Sequence, residues 1–188
     1  MPLEIELKMR VTDFDALEKK LQSLGAGRVA RIAEENIFLD TPDLALRKSD
    51  SGLRVRVEHD RDTNQLRSII ITHKGPRQPG PVKSRTETEL HAASDTQAIA
   101  LLNALGYHET LRFEKHRDRW SLDGCHIELD TLPMLGRFVE IEGPGEEAIQ
   151  QLRTKLGLDH LPLEPAGYAS LLGRELEAQG SVSRQVRF

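Results

Sequence analysis

Apolar and charged residues alternate strictly at the beginning of the chain. Residues 3–10 place four apolar side chains on one face and Glu4, Glu6, Lys8 and Arg10 on the other. Since successive side chains of a strand point to opposite faces, this two-residue period predicts a β-strand. The second face is unusual because every side chain on it is charged and both signs occur. A single strand of this kind is typical of a solvated sheet edge protected by charge, so its meaning depends on whether the pattern recurs.

Later segments also have the character of strands with charged residues on one face, at residues 52–58, 67–74, 83–90, 113–130 and 137–143. Within 113–130, Asp123-Gly124 is a strong hairpin signal. A two-residue loop there pairs Leu122 with Cys125, so Arg117 should face Asp130 across the hairpin. The charged faces together carry nine basic and nine acidic side chains, namely Lys8, Arg10, Arg54, Arg56, Lys74, Arg85, Lys115, Arg117 and Arg119, and Glu4, Glu6, Glu58, Glu87, Glu89, Glu128, Asp130, Glu140 and Glu142.

Helical spacing of apolar residues predicts four amphipathic helices between the strands. Thr12 caps the first, which ends before Gly25, and Ser94 with Gln97 forms a capping box for the second. The other two are expected at residues 145–156 and 164–177.

The remaining segments are a strand region, a loop and a tail. Residues 28–41 form one strand or two. The Pro- and Gly-rich segment 75–81 is a loop and a candidate lid, and residues 179–188 form a flexible C-terminal tail.

The four helices can cover the apolar faces of the strands, which turns the charged faces inward. We therefore predict an α+β fold in which an eight-stranded antiparallel β-barrel with a charged interior is surrounded by helices. Residues 1–178 form this single domain. A barrel of this size has room for a small ligand. The alternative is an open sheet with its charged face in water and cross-strand ion pairs. The agreement of six strands, and the near absence of Ser, Asn and Gln on their charged faces, favour the barrel.

Composition and charge exclude several classes of protein. The chain has 188 residues and a net charge of -4 at pH 7, which gives no general attraction to nucleic acid or to an anionic membrane. Its one cysteine, Cys125, rules out an internal disulfide framework and a Cys-rich zinc site. No apolar run reaches the length of a membrane span, and the first residues do not resemble a signal peptide. A cytoplasmic protein is therefore expected, without a nucleic-acid or membrane partner.

The mixture of charges inside the predicted barrel points to its ligand. Buried charges are costly unless they pair with each other or with bound ions. Arg and Lys suit phosphate oxygens, and clustered carboxylates suit hard cations such as Mg²⁺ or Mn²⁺. Together these residue types predict a site for a polyphosphate chelated by a divalent metal ion. The sequence lacks the G-x-x-x-x-G-K-[ST] motif, which excludes a P-loop mechanism.

The order of the charged motifs resembles one family. Glu4-Ile5-Glu6-Leu7-Lys8 matches the E-x-E-x-K signature of the CYTH superfamily, the triphosphate tunnel metalloenzymes. The later motifs of that family follow in the same order, as residues 53–56, 74–76, 85–89, 114–117, 128–130 and 140–142. The resemblance covers residues 1–173 and implies a barrel open at both ends. Segments 113–117 and 164–172 are most similar to bacterial and archaeal members grouped with class IV adenylyl cyclases.

The resemblance also implies roles for individual residues. Divalent ions, Mg²⁺ or Mn²⁺, would be held by Glu4, Glu6, Glu128, Asp130, Glu140 and Glu142. The triphosphate would be bound by Lys8, Arg54, Arg56, Lys74, Arg85, Lys115 and Arg117, with Glu87 and Glu89 in support. Each acidic residue has a simpler alternative role, which is to pair with an Arg or Lys across the sheet. Both roles are compatible, since Arg117 can pair with Asp130 while the site is empty.

Lys8 is the candidate for a catalytic role. Surrounding cations favour a neutral lysine, which could act as a general base, whereas nearby carboxylates oppose this. The activity implied by the resemblance is that of a class IV adenylyl cyclase, which converts ATP to cyclic AMP and pyrophosphate. The alternatives are a triphosphatase acting on thiamine triphosphate, tripolyphosphate or a nucleotide, and a non-catalytic binder of polyphosphate or nucleotides. The resemblance also allows a homodimer.

Overall fold

Eight antiparallel strands close into a barrel in a computed structural model that describes residues 3–79 and 83–188. The strands are β1 (Leu3–Val11), β2 (Gly27–Asp40), β3 (Gly52–Asp60), β4 (Leu66–Lys74), β5 (Lys83–His91), β6 (His108–Leu122), β7 (Cys125–Leu132) and β8 (Gly136–Glu142). They are ordered β2-β3-β4-β5-β1-β8-β7-β6, and pairing of β2 with β6 closes the ring. The predicted α+β barrel is therefore confirmed.

Among the residues that the structure describes, five helices accompany the barrel. They are α1 (Phe14–Ser23), α2 (Ala45–Lys48), α3 (Asp95–Ala104), α4 (Glu146–Lys155) and α5 (Tyr168–Ala178). The cap of α1 is Asp13, whose side chain accepts a hydrogen bond from the Ala16 amide, and not Thr12 as the sequence predicted. Ser94 caps α3 as predicted. The short helix α2 was not predicted, because a single turn has no apolar periodicity. Within the described residues, no helix combines the length and apolar character that crossing a membrane requires.

The β6–β7 hairpin has the register that the sequence predicts. Asp123 and Gly124 both have positive φ, 52° and 77°, which is the backbone of the tight turns that match strand twist. Arg117 consequently lies opposite Asp130, and Arg119 lies opposite Glu128. The turn therefore determines which charged residues meet inside the barrel.

Most of the apolar strand faces pack outward against helices. Helices α1 and α4 cover one outer core, which includes Met9, Ile127 and Ile141. Helix α3 covers a second, which includes Ile37 and Val55. These two cores confirm the expectation that the charged faces of the same strands point inward.

The barrel interior is apolar at one end, which the sequence analysis did not anticipate. Leu111, Phe113, Leu132 and Phe138 lie two or four residues beyond charged interior positions on their strands, and pack with Leu172 of α5. This helix is therefore not an outer layer like α1, α3 and α4. It packs against the interior side of β6, β7 and β8 at the end where those strands carry apolar residues.

The C-terminal segment corrects a further expectation. We predicted that residues 179–188 are a flexible tail, but Gln185–Val186 forms a short strand, β9, parallel to β6. Val186 is buried in the apolar end of the barrel beside Phe113. A two-residue strand held by one apolar side chain has no sequence period, so the pattern analysis missed it.

Part of the predicted lid is described. In residues 75–79, Arg77 contacts Asp50 through its Nε at 2.8 Å and its backbone amide at 3.1 Å. The predicted loop also includes Gly80 and Pro81, which lie outside the described residues. The described part is thus attached to the segment that connects α2 to β3.

Candidate functional site

The barrel encloses a cavity of about 1180 Å³. All but one of the site residues predicted from the sequence line it: Glu4, Glu6, Lys8, Arg54, Arg56, Lys74, Arg85, Glu87, Glu89, Lys115, Arg117, Glu128, Glu140 and Glu142. Asp130 lies behind this lining and has no exposed surface. Arg119 and His126, which are not among the predicted site residues, also line the cavity. Strands from every part of the chain thus bring the charged residues to one place.

Arg117 lies at the centre of three acidic side chains. Its Nε and Nη2 donate to the two oxygens of Asp130 at 2.7 and 2.6 Å. Nη2 also contacts Glu140 at 2.6 Å, and Nη1 contacts Glu128. We call these four residues the Arg117 cluster. Because burial alone would lower the pKa of Arg117, it is the surrounding carboxylates that raise it well above its usual value.

Asp130 is bonded to two side chains besides Arg117. In addition to Arg117, its Oδ2 accepts hydrogen bonds from Lys115 Nζ at 3.3 Å and from the Tyr168 hydroxyl at 2.9 Å. Burial raises the pKa of Asp130 above its usual range, although Arg117 and Lys115 oppose the shift. The carboxyl group is therefore fixed in place by three different side chains.

Glu34 is a site residue that the sequence analysis missed. It is 2% exposed, and it lies 3.2 Å from Lys115 Nζ and 3.6 Å from Arg117 Nε. Burial favours its neutral form, but Lys115 and Arg117 outweigh this and lower its pKa well below the usual value. Its Oε1 is buried without a hydrogen-bond partner in the part of the chain that the structure describes. The consecutive polar residues 34–36 hide the alternation of β2, which explains the omission.

Tyr168, the first residue of α5, is a second omission. Its hydroxyl donates to Asp130, and the centre of its ring lies 4.3 Å from Lys8 Nζ and 5.3 Å from Lys115 Nζ. A cation over an aromatic face is stabilised by the ring quadrupole. Lys8 Nζ also lies 3.7 Å from a Glu140 oxygen. The Glu140 carboxylate and the Tyr168 ring each stabilise a positive charge at this position. The sequence analysis missed Tyr168 because it lies in a helix, and the alternation of strand residues gives no information about helical residues near the site.

A second group of carboxylates lies on β1 and β8. Glu6 is the cross-strand neighbour of Glu142, and Glu4 lies two residues away on the same face of β1. We call these three residues the Glu142 cluster. The pKa of Glu142 is raised to about 7 by burial and by repulsion from Glu128, Glu4 and Glu6. Negative charge therefore outweighs positive charge around Glu142, while Lys74 Nζ lies 3.3 Å from Glu4.

The basic side of the cavity is formed mainly by β3, β4 and β5. Burial and the adjacent Arg56 lower the pKa of Arg54 below the usual guanidinium value. The Nε atoms of Arg54 and Arg85 are buried without a hydrogen-bond partner among residues 3–79 and 83–188. Buried donors of this kind are normally paired. Two arginines therefore offer donors to an anion in the cavity.

The residues present fit a divalent metal ion. Glu128, Asp130 and Glu140 each offer an oxygen, and these oxygens lie within 4.8 Å of one another. The Glu142 cluster adds carboxylates that are repelled by their neighbours and would gain from a nearby cation. Oxygen ligands of this type suit Mg²⁺ and Mn²⁺. The donor set is thus that of a hard cation.

Comparison with known proteins agrees with this geometry. A family model described as the CYTH domain matches residues 2–163. The chain belongs to the CYTH family. It is 26% identical over 183 residues to the adenylate cyclase CyaB of Aeromonas hydrophila, with 92% of this chain and 90% of that protein covered.

Solved structures show the same fold. The PH1819 protein of Pyrococcus horikoshii OT3 has a TM-score of 0.78 and 28% identity, with 92% of this chain and 99% of that one covered. HpAC1 from Hippeastrum, described as having a dominant triphosphatase activity, has a TM-score of 0.62 and 18% identity, with 96% and 97% covered. At 18% identity, the similarity to HpAC1 shows only that the two proteins share the CYTH fold.

Proposed function

We propose that this CYTH protein is a divalent-metal-dependent enzyme that acts on a triphosphate inside the barrel, and that its reaction is the conversion of ATP to cyclic AMP and pyrophosphate. The observation that carries the proposal is the meeting of two charge types in one cavity, where Arg54 and Arg85 present unpaired buried donors and Glu142 lies among other carboxylates. The phosphate oxygens of a metal-bound triphosphate would accept hydrogen bonds from the arginine donors, and its metal ion would neutralise the carboxylates. The cyclase name of the Aeromonas hydrophila relative supports the choice of reaction.

The basic residues of the cavity bind the phosphate oxygens in this proposal. They are Lys8, Arg54, Arg56, Lys74, Arg85, Lys115 and Arg117. Arginine suits this task because its planar fork can donate two parallel hydrogen bonds to one phosphate. Glu87 supports the set by its contact with Lys74, since burial would raise the pKa of this carboxyl but hydrogen bonding and Lys74 lower it. Glu89 accepts a hydrogen bond from Thr72 at 3.0 Å, which in turn lies beside Arg54.

The carboxylates hold the metal, Mg²⁺ or Mn²⁺. Glu4, Glu6 and Glu142 are the first choice as ligands, because Glu142 lies among carboxylates whose repulsion raises its pKa to about 7 and a bound cation would relieve that repulsion. When bound, the ion neutralises charge on the triphosphate. The side chains of the tunnel contribute by positioning the substrate and stabilising negative charge that develops on the phosphates.

Lys8 acts as a phosphate contact in this proposal. Glu140 and the ring of Tyr168 both stabilise its ammonium form, and an ammonium binds phosphate oxygens. The general-base role that the sequence analysis considered requires the neutral amine, which these two neighbours disfavour. Lys8 therefore stabilises charge on the triphosphate instead of removing a proton.

A substrate with an organic group fits the shape of the cavity. A volume of about 1180 Å³ lies above the usual range for small-molecule sites, and the lining includes Phe38 and Leu111 beside the charged residues. Ribose and base can occupy the space that a triphosphate chain leaves. This favours ATP or thiamine triphosphate over inorganic tripolyphosphate.

A triphosphatase is the second candidate. The same residues would bind the same triphosphate, and water would replace the ribose hydroxyl as the attacking group. HpAC1 shares the fold and is described as having a dominant triphosphatase activity, so cyclase and hydrolase chemistry must be separated by experiment.

Product analysis tests the proposal. The protein is incubated with Mg²⁺ or Mn²⁺ and, in turn, ATP, thiamine triphosphate and tripolyphosphate, and the products are identified by chromatography and ³¹P NMR. Cyclic AMP with pyrophosphate is expected. Release of orthophosphate with a diphosphate would establish the triphosphatase instead, and tight binding without any product would establish a non-catalytic binder.

A pair of arginine variants controls for contaminating enzymes. Arg54→Gln should abolish most of the activity, because Arg54 lines the cavity. Arg10→Gln is the matched control, since Arg10 contacts the Leu135 carbonyl and the Phe138 ring instead of the cavity. Equal activity of the two variants would show that the measured turnover does not come from the tunnel.

A further inference from the structure

Arg117 occupies the position between carboxylates that a divalent ion would need. The three acidic residues of the Arg117 cluster are the group, among the described residues, whose oxygens come within 4.8 Å of one another. All three contact the same guanidinium, Asp130 at 2.7 and 2.6 Å and Glu140 at 2.6 Å. A guanidinium and a metal ion cannot both occupy the space between these oxygens.

The cluster is also balanced in charge without a metal. Arg119 Nε donates to Glu128 at 2.9 Å, Lys115 Nζ donates to Asp130 at 3.3 Å, and Lys8 Nζ lies 3.7 Å from Glu140. Each carboxylate thus has a second cation besides Arg117. A site of this kind gains little from a free divalent ion as long as the guanidinium stays in place.

Arg117 also lines the cavity where the phosphates would bind. It is therefore able to exchange carboxylate partners for phosphate oxygens, which match its fork equally well. Movement of the guanidinium toward a phosphate would leave four acidic side chains, Glu34 included, with too little positive charge. The cost of that imbalance falls if a divalent ion binds among them.

We propose that Arg117 is an internal cation that competes with a divalent metal ion for Glu128, Asp130 and Glu140, so that this group accepts the ion only when a triphosphate draws the guanidinium away. This inference rests on the proposed triphosphate function and adds a coupling to it. Since coupling between two ligands is reciprocal, the metal in this position should also strengthen triphosphate binding.

Metal binding in the absence of any phosphate tests the competition directly. Free and bound Mn²⁺ are measured by electron paramagnetic resonance for the wild-type protein, Arg117→Gln and Arg117→Lys. Arg117→Gln is expected to bind one additional Mn²⁺, or to bind Mn²⁺ about tenfold or more tightly, because a unit charge is removed from contact with the ligands. Arg117→Lys should give a smaller increase, since one ammonium cannot contact three carboxylates at once.

Arg54→Gln is the matched control. It removes the same charge from the same cavity, but no contact joins Arg54 to the three carboxylates among those described. Its Mn²⁺ affinity should change much less than that of Arg117→Gln. Equal gains in both variants would show a general electrostatic effect and overturn the proposal, as would unchanged or weaker Mn²⁺ binding by Arg117→Gln.

Folding of the variant is checked by circular dichroism in the same buffers. If Arg117→Gln unfolds without metal, Mn²⁺ should restore its fold, because binding to the native state shifts the folding equilibrium. Absence of that rescue, together with Arg117→Lys binding no more Mn²⁺ than the wild type, would overturn the proposal. Because these measurements use no triphosphate, they can fail while the product analysis succeeds, which separates this inference from the proposed function.

Discussion

The Arg117 cluster and the Glu142 cluster face the same cavity, but their negative charge is compensated differently. In the first, a single guanidinium contacts three carboxylates and every contact is buried. In the second, neighbouring carboxylates repel one another strongly enough to raise the pKa of Glu142 to about 7. The difference shows that the carboxylates of the Arg117 cluster are neutralised by the protein itself, whereas Glu142 would gain from a proton or a nearby cation.

The largest expected effect comes from Lys8, which lies at the edge of the Arg117 cluster. Lys8→Met should lower turnover by about 10²-fold or more, as expected for loss of one group that stabilises phosphate charge. Triphosphate affinity should fall as well, because we assign Lys8 to binding as an ammonium. Steady-state kinetics and isothermal titration calorimetry measure the two quantities. Retained affinity with lost turnover would instead support the general-base role.

Removal of Arg117 itself should have the next largest effect, on stability. Arg117→Gln leaves buried carboxylates without their central cation, which costs about 3–5 kcal/mol of unfolding free energy. Urea denaturation in metal-free buffer measures this. Arg54→Gln should cost clearly less, because burial and Arg56 already oppose the charge of Arg54. A similar loss of unfolding free energy in the two variants would show that Arg117 does not stabilise the fold more than Arg54.

The pH dependence of stability probes the Glu142 cluster. The folded pKa of Glu142 is raised from 4.5 to about 7. Its contribution to stability is therefore fully present below the unfolded pKa and is lost as the pH rises through about 7. In metal-free urea titrations, the wild type should lose stability between pH 5 and pH 8 relative to Glu142→Gln. Parallel pH profiles of the two proteins would contradict the raised pKa.

The smallest effect is expected at the margin of the Arg117 cluster. The side chain of Arg119 is 26% exposed, and its pair with Glu128 is therefore partly screened by water. Arg119→Gln should cost less than about 1 kcal/mol in the same denaturation experiment. A cost near that of Arg117→Gln would mean that the cluster extends to the mouth of the cavity and is not centred on one residue.

Strand alternation predicted the barrel and most of its lining because each charged strand face repeats the same two-residue period. The hairpin turn at Asp123 and Gly124 even predicted the pairing of Arg117 with Asp130. Glu34 escaped this reasoning because polar residues occupy both faces of β2 around it, so that no period is visible.

Two other features depend on contacts between distant segments. Tyr168 reaches the site because α5 packs against the apolar end of the barrel interior. The alternation of charged residues does not reveal this end. Phe113 and Phe138 lie on the same strand faces as the charged interior residues, but they are apolar. The grouping of three carboxylates around Arg117 also depends on the closed barrel. No single strand determines it.

The position of β1 in the barrel has a consequence for how the chain is made. This strand lies between β5 and β8, and its Lys8 carbonyl accepts a hydrogen bond from the Glu164 amide at 2.7 Å. It is synthesised before all of its partners, and β8 is complete only at Glu142. Strands with such distant partners pair slowly and are exposed to aggregation meanwhile. Charged residues on a strand oppose such association. Glu4, Glu6 and Lys8 would therefore protect the nascent strand on the ribosome before they line the finished cavity.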